Sequence, residues 1–198
     1  MAMVARQQGH SVVLIENGAH PRFAIGESST PLANLFLQQI AEKFNLPQLL
    51  PFRRWGEWQQ KFPEIGCGLK RGFSFFHHES GQPFSDNPER SKQLLVAASP
   101  RDELADTHWF REDFDQHFVS EAQSLGVEYF DRTELIGFHE ISDHVLLIGK
   151  KGGEKINFRV DFAVDASGPR GCLFRLLRLS ERNLPLMPAT RGLFAHFN

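Results

Sequence analysis

Residues 11–31 read "SVVLIENGAHPRFAIGESSTP", and the elements around this stretch set the fold class. Ser11–Glu16 is a short apolar run rich in β-branched residues and closed by an acid, the pattern of a buried parallel strand. Ahead of it, "MAMVARQQGH" carries helix-tolerant Ala2, Val4 and Ala5, with Gly9 placed as a C-terminal stop. After it, "PLANLFLQQIAEKF" sets apolar residues at 32, 35, 36 and 40, the period of an amphipathic helix. Pro31 suits that helix's first turn. Between strand and helix lies "HPRFAIGESSTP", a loop holding Arg22, Gly26 and a lone Glu27 among small residues. Phe23 and Ile25 read as its buried anchors.

Helix, glycine, strand and terminal acid make up the second half of a dinucleotide-binding βαβ unit. There the carboxylate, here Glu16, accepts hydrogen bonds from ribose hydroxyls, and a glycine-rich fingerprint precedes it by about 20 residues. That distance runs past Met1, and G-x-G-x-x-G occurs nowhere in the sequence. The first strand and phosphate loop are therefore expected to be missing from the chain. The plain alternative is a strand ending in a surface acid.

Farther along, "LPQLLPFRRWGEWQQKF" is Pro-interrupted and reads as irregular or short-helical, and "KRGFSFFHH" reads as a strand with Lys70 at its start. "GQPFSDNPER" is a turn-rich loop. Residues 102–126 read mostly as helix, clearest from Arg111 to Leu125, with Phe114, Phe118, Ala122 and Leu125 on one face and Gly126 as the stop. "VEYFD", "TELIGFHEI", "HVLLIGK" and "KINFRVDFAVDAS" read as strands, the last two joined by a hairpin turn at "KKGGEK". This rhythm predicts an α/β fold carrying a small β insertion. Ser11–Glu16 and Phe158–Val164 are expected as neighbours in a central sheet. "VEYFD" to "LLIGK" is expected as a meander or hairpin layer above it.

Composition excludes several classes. With 198 residues, 41% of them hydrophobic, the chain can bury a core of one domain or two small ones. A net charge of −2 offers no general field for nucleic acid, and the short basic run "RGCLFRLLR" reads as a solvated helix face. Two cysteines are no disulfide scaffold and point to a reducing compartment, so the expected location is cytoplasmic. No apolar run approaches a membrane span, and no signal peptide opens the chain. His77 and His78 lack neighbours at metal-ligand spacing, so no metal is expected.

"HPRFAIGES" followed by "TP" closely resembles the PRF-x-IGES segment of FAD-dependent halogenases and related geranylgeranyl-reductase-like flavoproteins. "REDFDQHFVSEAQSLGVE" resembles their R-x-x-FD-x-x-L helix, "VDFAVDASGPRG" their D-A-[ST]-G flavin motif, and "LFAHFN" the start of a following substrate-domain strand. The order and spacing of the four pieces agree with that family over nearly the whole chain. Departures are the absent glycine-rich loop and the W-x-W-x-I-P segment and catalytic glutamate, which do not occur here.

The resemblance implies a Rossmann-like FAD-binding domain with part of a β-sheet substrate domain. Residues 1–66 and 101–180 would be the two parts of the FAD-binding domain. Residues 67–100 would be substrate-domain strands or an insertion, and 181–198 the start of the substrate-domain sheet. It implies FAD contacts at Glu16, Arg22, Gly26, Glu27, Ser28, Arg111, Asp165, Ala166 and Gly168. Each has a plain counterpart: an ordinary βα loop, a surface salt bridge of Arg111 with Glu112 or Asp115, and a strand-to-loop turn at Asp165. Lys70 would be the catalytic lysine that receives hypohalous acid, a role that suits an amine whose pKa shifts on burial. Its plain counterpart is a solvated lysine at a strand start. The implied activity is that of an FAD-dependent, halogenase-like oxidoreductase acting on a small organic substrate, with a flavin reductase or reduced nicotinamide as electron source. The alternatives are a geranylgeranyl-reductase-like enzyme and an inactive partial chain.

Overall fold

The structure is a computed structural model that describes residues 1–168, 171–181, 185–186 and 192–193. It is mixed α/β, and its contacts divide it into two units. One holds Met1–Val12 and His20–Val127, and the other Val13–Ala19 and Glu128–Asn198.

The first unit begins with α1 (Ala2–Gln7), ended at Gly9, whose φ of 87° is the left-handed stop that its position in the sequence predicts. α2 (Pro31–Lys43) starts at Thr30, whose hydroxyl accepts from the Ala33 N–H, with Pro31 in the first turn. A 3₁₀ helix (Pro47–Arg53) and α3 (Trp55–Lys61) take up the Pro-interrupted stretch. α4 spans Arg111–Ser124, and Gly126 follows it with φ 86°. These helices enclose the core: Phe52, Trp58, Ile65 and Phe114, flanked by Phe62, Trp109 and Phe118. Phe52 meets Trp58 edge-on at 4.7 Å and Phe114 at 5.5 Å, arrangements that suit the ring quadrupoles. The Trp58 indole N–H donates to the Ile65 carbonyl, so its one polar atom is satisfied in the core.

Two antiparallel sheets complete this unit. β2 (Glu27–Ser28) and β3 (Cys67–Lys70) flank β6 (Asp106–Trp109). β4 (Gly72–Phe76) pairs with β5 (Gln93–Ala97). Residues 70–78 are therefore not one strand: the chain changes sheets at Arg71. Gly72 permits this, because a Cβ there would lie 2.1 Å from the Val96 carbonyl oxygen. β6 also falls inside the stretch read mostly as helix. Thr107 and Trp109 favour strands, and pairing on both edges decides the outcome.

In the second unit, β1 (Val13–Ile15) pairs in parallel with β7 (Glu128–Phe130), not with the segment at 158–164. β8 (Glu134–Ile141), β9 (His144–Lys151) and β10 (Glu154–Val160) form a separate antiparallel meander. The turn at Gly152 and Gly153, both at positive φ, closes β9 onto β10. That local hairpin claims β10 before a distant partner can. "VEYFD" thus belongs to the parallel pair, and the last strand stops at Val160 rather than continuing to 164. Phe130 meets Phe158 edge-on at 4.9 Å, packing the meander against that pair. Gly149 is small because a Cβ would lie 2.9 Å from the Thr133 methyl and 3.0 Å from the Phe158 ring. A five-residue helix, α5 (Cys172–Leu176), follows. The expected strand at "GLFAHFN" lies outside the described residues apart from 192–193.

Candidate functional site

The sheet β2–β6–β3 brings most of the expected site together. Residues 27, 70 and 106–109 are far apart in sequence, yet register places Glu27 and Cys67 on either side of Trp109, and Lys70 opposite Asp106. The junction from β6 to α4 is fixed by Trp109 stacked on Phe114 at 4.4 Å, which sets Arg111 at the start of the helix.

Arg111 is held from two directions. Its Nε and Nη2 donate to the two carboxylate oxygens of Asp115, one turn along α4, at 2.6 and 2.8 Å. Its Nη1 donates to Glu27 Oε1 at 3.0 Å, 84 residues away in sequence. The Asp115 hydrogen bonds above all hold the guanidinium above its ordinary pKa. A cation is disfavoured at a helix N-terminus, and these two carboxylates are the partners that compensate it. The plain counterpart, a salt bridge with Asp115, is present, and Arg111 also meets Glu27 of the "IGES" loop, a contact the sequence reading did not foresee.

That loop is entered through a cis His20–Pro21 bond. Phe23 is 60% and Ile25 53% exposed, so they are not the buried anchors that the sequence suggests. The chain after Gly26 instead holds the loop. Ser29 is buried; its N–H donates to the Thr107 carbonyl and its Oγ accepts from the Thr107 N–H. Gly26 matters for close approach, but to the protein itself: a Cβ would lie 3.1 Å from the Trp109 carbonyl oxygen.

Lys70 departs most from its plain reading. It is only 3% exposed, not a solvated strand end. Its Nζ donates to the Ser29 carbonyl and sits 4.0 Å from the centre of the Phe73 ring. Burial pushes its amine down in pKa, and the nearby Asp106 carboxylate opposes that. Lys70 is thus a desolvated amine three register positions from Glu27 along β6, roughly 10 Å at strand spacing. Sequence reasoning missed Asp106, which is 2% exposed; nothing in its local pattern marks it, because its burial comes from β3 and α2.

Glu16 and the D-A-S-G turn lie in the second unit. The Gly18 N–H donates to Glu16 Oε1 at 2.8 Å, so the acid bends back onto its own loop. Asp165 accepts from the Ser167 and Leu173 N–H groups, and Ser167 Oγ accepts from the Cys172 N–H. The turn therefore caps α5. Burial pushes the Asp165 carboxyl up, but these hydrogen bonds outweigh it and hold it below the usual carboxylate range. Ala166 and Gly168 are exposed, and Gly168 at φ 88° faces open space. Among the described residues no His, Cys, Asp and Glu cluster could hold a metal, and no helix is long and apolar enough to cross a membrane.

No protein-family model matches the chain. It is 29% identical over 195 residues to the monodechloroaminopyrrolnitrin halogenase PrnC of Pseudomonas fluorescens, covering 98% of this chain and 33% of that one. It is 26% identical over 200 residues to the tetracycline 7-halogenase of Kitasatospora aureofaciens, covering 99% of this chain and 34% of the relative. In fold it matches halogenase PltM, solved in complex with phloroglucinol and FAD, with a TM-score of 0.77 and 24% identity over 90% of this chain and 33% of that one. It matches the flavin-dependent halogenase CmlS with a TM-score of 0.62 and 23% identity, over 89% of this chain and 28% of that one. By sequence and fold together, the chain is a relative of the flavin-dependent halogenases that spans about a third of their length.

Proposed function

We propose that the chain is a segment of an FAD-dependent, halogenase-like oxidoreductase acting on a small organic substrate, in which Lys70 carries the halogen to that substrate. The observation that carries the reading is the buried, desolvated Lys70 amine on the same sheet as the Glu27–Arg111 loop. PltM was solved with phloroglucinol, a small phenol, and this favours an aromatic substrate.

The residues fit part of a flavin site. The exposed Gly168 turn leaves open backbone, and Arg22, Arg111, Glu27 and Ser28 gather charge and hydrogen-bonding groups on one loop and the helix beside it. Glu16, Gly26, Asp165 and Ala166 complete the proposed set. The amide-rich phosphate loop that normally holds a pyrophosphate is not among these residues. When bound, FAD would supply the oxidising chemistry. Arg111 would orient the loop through Glu27, and the burial of Lys70 would keep water from its amine. In this proposal residues 1–66 and 101–180 form the flavin side, and 67–100 and 181–198 the substrate side. The longer enzyme draws electrons from a flavin reductase or a reduced nicotinamide, and works in the cytoplasm.

The test compares the chain with the longer enzyme that contains it. The longer enzyme is expected to retain FAD and the chain alone to release it on gel filtration. In the longer enzyme Lys70→Ala should abolish halide-dependent product while flavin retention stays. Lys70→Arg should fail as well, because a guanidinium stays protonated. Halide-dependent product from Lys70→Ala would refute the carrier role. Saturation of a prenyl chain without any need for halide would replace the reading with the reductase one.

A further inference from the structure

Lys70 has a partner that the sequence does not reveal. β3 and β6 run antiparallel, and their register sets Lys70 directly opposite Asp106. Residues so paired project from the same face of a sheet, with Cβ atoms about 4.5–5.5 Å apart. Both are buried, Lys70 at 3% and Asp106 at 2% exposure. A buried ion is costly unless it is paired and hydrogen-bonded. Asp106 is only half satisfied: Oδ1 accepts from the Asn34 amide at 2.7 Å, while Oδ2 is buried and accepts no hydrogen bond.

Asp106 borders an open cleft of about 270 Å³ beside Asn34, Ser99, Arg53 and Arg54. The two arginines are engaged elsewhere, both by Glu57. The groups around the Lys70–Asp106 pair are therefore few. On β6, His108 shares the face with Asp106 and stands opposite Gly68. The loop after β2 presents the Ser29 carbonyl, β4 the Phe73 ring, and α2 the neutral Asn34 amide.

We propose that Asp106 is a positioning residue for Lys70: its buried carboxylate, opposite Lys70 across the β3–β6 ladder, favours the charged form of the amine. Burial pushes the Asp106 carboxyl up and the Lys70 amine down, and each group's charge opposes the other's shift. The inference rests on the carrier role proposed for Lys70.

The test uses the whole chain with 13Cε-labelled lysine and 13Cγ-labelled aspartate, followed by NMR across pH. The Lys70 signal is assigned by its loss in Lys70→Arg. Asp106→Asn keeps the shape and the Asn34 contact but removes the charge. It should lower the Lys70 midpoint by about one unit, a tenfold loss of proton affinity, and leave Lys150 and Lys155 unmoved. An unchanged Lys70 midpoint overturns the inference. If Asp106→Asn fails to fold, the wild type decides: the Lys70 signal must move in step with the Asp106 carboxyl titration, and independence of the two overturns the inference. The carrier role fails separately. Halogenation by Lys70→Ala in the longer enzyme sinks that role and the inference's catalytic meaning, whatever the titration shows. Loss of halogenation with no coupling sinks the inference and leaves the carrier role standing.

Discussion

The clasp between Glu27 and Arg111 makes a prediction in which two substitutions separate two quantities. Glu27→Gln removes one ion pair between side chains 55% and 27% exposed. Exposed pairs contribute roughly 0.2–1 kcal/mol, so local opening of residues 20–28 should rise between about 1.4- and 5-fold. The reporter is tryptic cleavage after Arg22, in conditions where opening equilibrates faster than cutting, so that the rate follows the open population. Asp115→Asn releases Arg111 at its other anchor. The Glu27–Arg111 pair itself stays, so cleavage should rise by no more than it does in Glu27→Gln. Asp115 is only 13% exposed and accepts two short charged hydrogen bonds, so α4 is weakened as well. Charged hydrogen bonds contribute about 1.5–3 kcal/mol, which sets the global loss near ~2 kcal/mol, or roughly 10 °C in Tm for a unit of this size. Glu27→Gln should leave Tm within about 5 °C of the wild type. Salt supplies a control. At 1 M the screening length is about 3 Å, and wild-type cleavage should approach that of Glu27→Gln. The clasp is refuted if Glu27→Gln resists trypsin as well as the wild type, or if it unfolds the protein as much as Asp115→Asn does.

Two further outcomes follow from the packing and the charges. Phe52→Ala empties the middle of the aromatic core, where Phe52 is wholly buried. It should cost about 3–5 kcal/mol and lower the urea midpoint by roughly 2 M with the slope unchanged; a loss under ~1 kcal/mol would mean the core is elsewhere. In the second unit Asp131 lies below its ordinary pKa, chiefly through the Lys151 hydrogen bond at 2.8 Å. A depressed carboxyl adds stability above its unfolded value near pH ~4, and loses it as pH falls through the folded value. Lys151→Ala should therefore flatten the acid limb of the stability curve below pH ~4 without changing its neutral-to-alkaline shape. An acid limb identical to that of the wild type would show that the pair is not formed in solution.

Chemistry carried by short, local patterns was legible without coordinates. Helix starts and stops follow from single residues, such as Pro31 and the glycines at 9 and 126. The β9–β10 turn follows from Gly152 and Gly153. The "IGES", R-x-x-FD and D-A-S-G segments pointed to the flavin-dependent halogenases, and the relatives bear this out. In each case the cause lies within a few residues of the effect.

What only the tertiary structure decided is which distant residues share a sheet or a charge. β10 looked like a partner for β1, but a hairpin costs less entropy than a long closure, and β7 took that edge instead. Phe23 and Ile25 have the composition of anchors, yet whether an apolar side chain is covered depends on other elements, and here it is Ser29 against Thr107 that ties the loop down. Lys70 next to Arg71 looks solvated on paper. It is buried because the chain changes sheets at that point, which sends Lys70 beneath Ser29 and opposite Asp106, while Arg71 reaches Asp102 near the surface. Periodicity records which face of an element a residue occupies. It does not record which strand arrives on that face, and the electrostatics of a site depend on that arrival.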